Sequence, residues 1–133
     1  MSVRMEIGEN RAPKFGVPTW AGEWAVTIDG TERAVIVETE RGYRLREGGR
    51  FTDPQRACRS QAEDDARNRY LTWETVNGHP ASLMSYQETE VNGRTWARLK
   101  IRGRIVAGPD TRTEKVYAEF NRRYAEYVKE TDG

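Results

Sequence analysis

The sequence predicts a small α+β domain: an antiparallel sheet of about five strands with two helices, in the order βββα-ββα. Three observations carry this. Asp29-Gly30 and Asn92-Gly93 each stand between two runs of alternating apolar residues, the mark of a hairpin closed by a two-residue turn. Apolar residues recur at helical spacing in two later stretches, each following strands and a Gly/Pro-containing break. A length of 133 residues fits one domain.

Residues 1–19 have no periodicity and carry Pro13, Gly16 and Pro18. They are read as a flexible arm, leaving 20–133 as a single α+β domain. Trp20 and Trp24 open a strand over 23–28, and both are expected in the core or as a lid on the sheet. After the Asp29-Gly30 turn the chain runs back over 32–39 through Ala34-Val35-Ile36-Val37, and 43–46 forms a third strand closed by Gly48-Gly49. A helix follows, with Thr52 or Asp53 as its cap, Pro54 in its first turn and Gln55 three residues after Thr52. Its buried stripe is read as Cys58, Ala62, Ala66, Tyr70 and Trp73. Asn77-Gly78-His79-Pro80 then breaks the chain. Two strands, 81–91 and 94–105, are joined by Asn92-Gly93, whose type I′ turn needs positive φ at both residues. Gly108-Pro109-Asp110 ends the sheet, and a last helix over 111–129 buries Val116, Tyr117, Phe120, Tyr124, Tyr127 and Val128.

The two halves also echo one another at an offset of 54 residues: Arg44-Leu45-Arg46 with Arg98-Leu99-Lys100, Gly49-Arg50-Phe51 with Gly103-Arg104-Ile105, and Arg69-Tyr70 with Arg123-Tyr124. Identities this few are compatible with duplication and with chance.

Hydrophobic residues make up 36% of the chain and charged residues 32%, but four Trp, six Tyr and three Phe supply core material that a disordered chain lacks. Net charge is +1, from 22 basic against 21 acidic side chains. That excludes both a strongly basic nucleic-acid binder and an acidic mimic at the level of the whole chain, so any electrostatic function must come from local segregation of charge. One Cys and one His offer neither an internal disulfide nor a zinc ligand set. No apolar stretch reaches the length of a membrane span or a signal-peptide core, and a cytoplasmic protein is expected. No catalytic residue, cofactor or metal is predicted.

The most specific feature is the basic strand. Along 94–105, one face carries Arg94, Trp96, Arg98, Lys100, Arg102 and Arg104; the other carries Thr95, Ala97, Leu99, Ile101, Gly103 and Ile105. The second set suits the core, so five cations and a tryptophan are expected outward in one row. The Asn92-Gly93 turn sets the partners: Val91 opposite Arg94, Thr89 opposite Trp96, Gln87 opposite Arg98, Ser85 opposite Lys100 and Leu83 opposite Arg102. None is acidic, and Glu88 and Glu90 fall on the other face.

A solvated edge of Arg and Lys is the plain reading of such a row, since it also discourages unwanted sheet pairing. The functional readings are two. In the first, a non-enzymatic protein binds nucleic acid, single-stranded or duplex, with the cations on phosphates and Trp96 stacking on a base. In the second, a small inhibitor or accessory factor, for example of a mobile element, binds an acidic protein surface. A homodimer through either helix is compatible with both.

Other candidates are bland. Arg56, Arg59, Arg67 and Arg69 share a helix with Glu63, Asp64 and Asp65, and the last helix mixes charges likewise, so pairing along each helix is expected. Cys58 reads as a buried, inert thiol and His79 as an exposed loop residue. A metal-independent ribonuclease built from Arg, Glu and Tyr would leave little trace in sequence.

Overall fold

The computed structural model describes residues 2–11 and 22–132. The structure is α+β, with two α-helices and two antiparallel sheets, one of five strands and one of four. The chain divides into two compact units, one within Val3–Leu71 and one within Thr72–Gly133 that also takes in Ser2.

The first unit is the sheet β1 (Met5–Ile7), β2 (Gly22–Ile28), β3 (Thr31–Thr39), β4 (Gly42–Glu47) and β5 (Arg50–Phe51), paired in that order, followed by α1 (Arg59–Tyr70). Part of the segment read as an arm is thus strand β1 against β2, while residues 12–21, Trp20 among them, lie outside the described residues. The Asp29-Gly30 turn has φ of 48° and 82°, as a tight hairpin turn requires. Ala34 to Val37 are buried on both faces of β3, where Ile36 stands between Trp24 on β2 and Leu45 on β4. The helix adds only Ala62 and Ala66 to this core, so the bulk comes from the strands.

The start of α1 differs from the expectation. Residues 52–57 are not helical, and Cys58, not Thr52 or Asp53, is the N-cap. Their amides are spent on β4: Thr52 donates to the Leu45 carbonyl at 3.1 Å, and Arg56 and Tyr43 exchange backbone hydrogen bonds of 2.7 and 2.9 Å. An extended segment can make those bonds and a helix cannot. Gly42 permits the approach, because a Cβ there would come within 2.3 Å of the Arg56 carbonyl oxygen. Cys58 therefore sits exposed ahead of the helix, not on its buried stripe. Its thiol is held below the usual range, chiefly by the Ser60 hydroxyl and then by the Gln61 amide.

The second unit is β6 (Glu74–His79), a single 3-10 turn (Pro80–Ser82), β7 (Met84–Val91), β8 (Arg94–Ile101), β9 (Arg104–Asp110) and α2 (Thr113–Asp132), with sheet order β6-β7-β8-β9. Two breaks expected from the sequence lie inside strands. Asn77 and Gly78 belong to β6, whose irregular register between Thr75 and Asn77 absorbs one residue as a bulge. Gly108 and Pro109 belong to β9, where an edge strand tolerates a proline. Helix α2 covers one face of this sheet: Val116 and Phe120 are buried against Met84, Tyr86, Ala97 and Leu99. Tyr117 meets Tyr86 edge-on, with ring centroids 4.9 Å apart. Of the remaining expected stripe, Tyr127 is half-buried against this core and Tyr124 is exposed.

The 54-residue echo coincides with equivalent structure. Helix α1 begins at Arg59 and α2 at Thr113. The hairpin β4–β5 pairs Arg46 with Phe51 and Glu47 with Arg50, and β8–β9 pairs Lys100 with Ile105 and Ile101 with Arg104. Ala62 and Ala66 correspond to Val116 and Phe120, and Leu45 to Leu99, all buried. Each unit is four antiparallel strands in sequence order followed by a helix laid across them, with β1 an addition to the first.

Candidate binding surface

The predicted register of the basic strand is the observed one: Val91 faces Arg94, Thr89 faces Trp96, Gln87 faces Arg98 and Ser85 faces Lys100, with φ of 54° and 75° at Asn92 and Gly93. The row itself is shorter than predicted. The strand ends at Ile101, and Arg102-Gly103 is a second two-residue turn, with φ of 53° and 81°. Arg104 pairs with Ile101 and so shares the face of Ile101, opposite to that of Lys100. Leu83 does meet Arg102, through a 3.1 Å hydrogen bond from the Arg102 amide to its carbonyl, but Leu83 is in the left-handed conformation ahead of β7. Sequence reasoning missed the Arg102-Gly103 turn because its first position holds an arginine, where Asn or Asp is the usual signal.

The six predicted side chains fall into distinct environments. Arg98 is buried beneath Trp73, its guanidinium 4.4 Å from the ring centroid, and its Nε donates to Gln87 Oε1 at 2.7 Å. Burial pushes its pKa down to about 10, so it keeps its charge at neutral pH. Trp96 is half-buried. Arg94, at the start of β8, is exposed, and so are Arg102 and Arg104 at the far hairpin, with Lys100 half-buried beside them. Among the described residues no carboxylate lies at ion-pairing distance from Arg94, Lys100, Arg102 or Arg104.

The helices behave otherwise. On α1, Arg59 pairs with Glu63 at 3.2 Å, Arg67 with Asp64 at 2.8 Å and Arg69 with Asp53 at 3.1 Å. On α2, Arg123 pairs with Glu119 at 2.8 Å, and Arg122 with both Glu119 and Glu126. These arginines are neutralised within their own unit.

Beside Lys100 and Arg102 lies an open groove of about 670 Å³, walled by Thr75, Gly78, Leu83 and Ser85 together with the two cations. Its shape has local causes. The 3-10 turn lifts the chain off the sheet between β6 and β7, capped by His79, whose Nδ1 accepts from the Ser82 amide at 3.3 Å. His79 is accordingly not a free loop residue: its ring packs on Tyr124 and Tyr127, 4.8 and 5.4 Å between centroids. Gly78 leaves the β6 backbone bare, since even a Cβ would stand 3.1 Å from the Met84 carbonyl oxygen. Polar groups run along one side. Thr75 Oγ1 and Ser85 Oγ are 2.9 Å apart, and Gln87 Nε2 donates to Thr75 Oγ1 at 3.2 Å, which joins both hydroxyls to the buried Arg98. Leu83 stands over the groove with 60% of its surface exposed, and Val76 on the neighbouring strand with 57%. The surface therefore offers two cations, two hydroxyls and an aliphatic wall, a set that receives an anionic group attached to an apolar body.

No family model, curated protein or solved structure matches the chain. No helix among the described residues is long and apolar enough to cross a membrane.

Proposed function

We propose that this chain is a non-enzymatic nucleic-acid-binding protein that takes the phosphate backbone on Lys100 and Arg102, with Arg94 as a further contact on the same face at the other end of β8 and Arg104, on the opposite face, adding only to the local field. The observation that carries this reading is the contrast in pairing. Arginines of the helices are matched by acids, whereas these four cations of one hairpin and strand are not. Unmatched cations on a nearly neutral chain make a local positive field suited to a polyanion. Arg98 supports the site from beneath through Gln87, whereas Trp96 is half-buried and lies outside the residues that line the groove.

Fluorescence anisotropy with labelled single-stranded and duplex DNA and RNA tests this. Binding is expected at low salt and weakens steeply as salt rises. The double variant Lys100→Glu/Arg102→Glu loses at least about tenfold in affinity and lowers the salt slope by about two, while its thermal melt stays cooperative. Absence of salt-sensitive binding to every one of these oligonucleotides overturns the reading.

Exposed Leu83 beside the cations favours a second reading, an acidic protein surface with an apolar anchor. A partner retained after nuclease treatment, and lost in the same double variant, would point that way.

A further inference from the structure

Four non-glycine residues among those described have positive φ: Asp29, Leu83, Asn92 and Arg102. Asp29 and Asn92 are ordinary choices, because a short polar side chain adopts the left-handed region with little penalty. Leucine and arginine are poor choices there. Both of the poorly suited residues line the groove beside β6, and the Arg102 amide donates to the Leu83 carbonyl at 3.1 Å, so the two strained positions brace one another. The equivalent turn of the first unit, Gly48-Gly49, carries glycine where the second carries Arg102. Folding alone would favour Gly or Asn at both positions of the second unit. Retained strain under an exposed aliphatic side chain and an unmatched cation points from backbone to binding.

We infer that the groove seats one unstacked nucleotide of a single strand, its base against Leu83, Pro80 and the bare backbone of Gly78 and its phosphate on Lys100 and Arg102. This rests on the nucleic-acid reading above and narrows it to single strands. A volume of about 670 Å³ falls in the range of roughly 300–1,000 Å³ typical of small-ligand sites. The two cations set the charge of the occupant, and the aliphatic wall sets the rest of it: the face of a base is open to such a wall only when the base has left the stack, as in a single strand. The Thr75 and Ser85 hydroxyls stand on the polar side of the groove, where they can serve a base edge or a sugar.

The test compares a short oligothymidine with an abasic strand of the same length, by anisotropy, on four proteins. Wild type is expected to prefer the oligothymidine. Leu83→Asn removes that preference, lowering oligothymidine affinity about fivefold and leaving abasic binding unchanged. Arg102→Asn weakens both strands and lowers the salt slope by about one. Both variants melt at or above the wild-type temperature, because Asn suits a left-handed position better than Leu or Arg. A merely structural role for either residue would give the reverse pattern, a lower melt with affinity intact. Thr75→Trp, which fills the groove, removes the preference without touching a cation. Equal salt-sensitive binding of both strands by wild type sinks the base seat and leaves the phosphate reading standing. No binding of either strand sinks both. An acidic Glu/Leu peptide that binds more tightly than oligothymidine, with the same dependence on Leu83, overturns the inference in favour of a protein partner.

Discussion

The two units repeat one plan, yet they spend their side chains differently, and the contrast is sharpest at the last hairpin of each. In β4–β5 the turn is Gly48-Gly49, Arg46 lies 3.7 Å from Glu23, and Arg44 covers Phe51 at 4.3 Å while donating to the Asp53 carbonyl. In β8–β9 the turn is Arg102-Gly103, and the position of Arg46 is held by Lys100, without an acid beside it. The hairpins have the same register and differ electrostatically at two positions, Arg46 against Lys100 and Gly48 against Arg102. In the first, Arg44 and Arg46 are held as structure and Arg50 stays exposed like its counterpart Arg104; in the second, Lys100 and Arg102 are left without an acid as well. Strand pairing is shared, but the turns differ, since φ is positive at both Arg102 and Gly103 and only at Gly48 of the other pair. The fate of each cation depends on which acid the surrounding chain brings near.

The cores divide the labour differently as well. Helix α1 lays alanines on strands already rich in Ile, Val and Leu, while α2 brings its own bulk in Val116 and Phe120. The largest expected effect follows. Phe120→Ala removes a buried ring that packs on Tyr86 and should cost about 3–5 kcal/mol in urea unfolding. Ala66→Gly, at the equivalent position of the first unit, should cost only about 1 kcal/mol. Equal losses would show that the helices contribute alike and would break the comparison.

A second difference is a carboxylate on α1. Asp65 is pushed up to about 6, by burial first, against the opposing pull of Arg56 and with the help of Asp53 and Asp64. Asp65 Oδ2 and Arg56 Nε stand 3.0 Å apart without the alignment of a hydrogen bond. A raised folded-state pKa means that the protonated form favours the fold. This contribution is whole below the ordinary value of 3.8 and is lost as pH rises through about 6. With its solvent exposure allowed for, the swing is about 1–2 kcal/mol. Melting temperature should fall between about pH 4 and 6 in wild type, and Asp65→Asn should flatten that fall. An unchanged slope in the variant would assign the pH dependence elsewhere.

The smallest effect sharpens the hairpin comparison itself. Gly48→Arg places an arginine where the second unit has Arg102 and should cost about 1 kcal/mol, since φ there is +61°. It should add little nucleic-acid affinity, because Glu47 is adjacent in sequence. A gain as large as the loss in Arg102→Asn would mean that any exposed turn arginine suffices and that the groove contributes nothing.

Much of this fold could be read along the chain. Asp29-Gly30 and Asn92-Gly93 marked two hairpins because only certain residues take positive φ cheaply, and the second turn then carried the whole β7–β8 register with it. The α2 stripe was plain because bulky residues at helical spacing leave little choice. Strands β6 and β9 were not legible. Both are edges, so β6 is exposed along nearly its whole length and shows no alternation, and each contains a glycine that reads as a break. The start of α1 was misplaced because Thr52, Asp53 and Pro54 form a good cap in isolation, and only the demand of β4 for partners draws them away. The basic row was half legible: alternation placed Arg94 to Lys100, but nothing local announced that the chain would turn at Arg102.

What the sequence determined by itself, then, is the class, the hairpins with favourable turn residues, the pairing of β7 with β8 and the inventory of cations without an opposing acid. Tertiary structure decided which of those cations remain available. It buried Arg98 beneath Trp73, turned Arg104 to the other face and set Lys100 and Arg102 beside a groove made by a 3-10 turn and a bulge. The division has one cause. Turn propensity and strand alternation act over a few residues and are written in local sequence, whereas burial and neutralisation depend on side chains tens of positions away, which only the folded chain brings together.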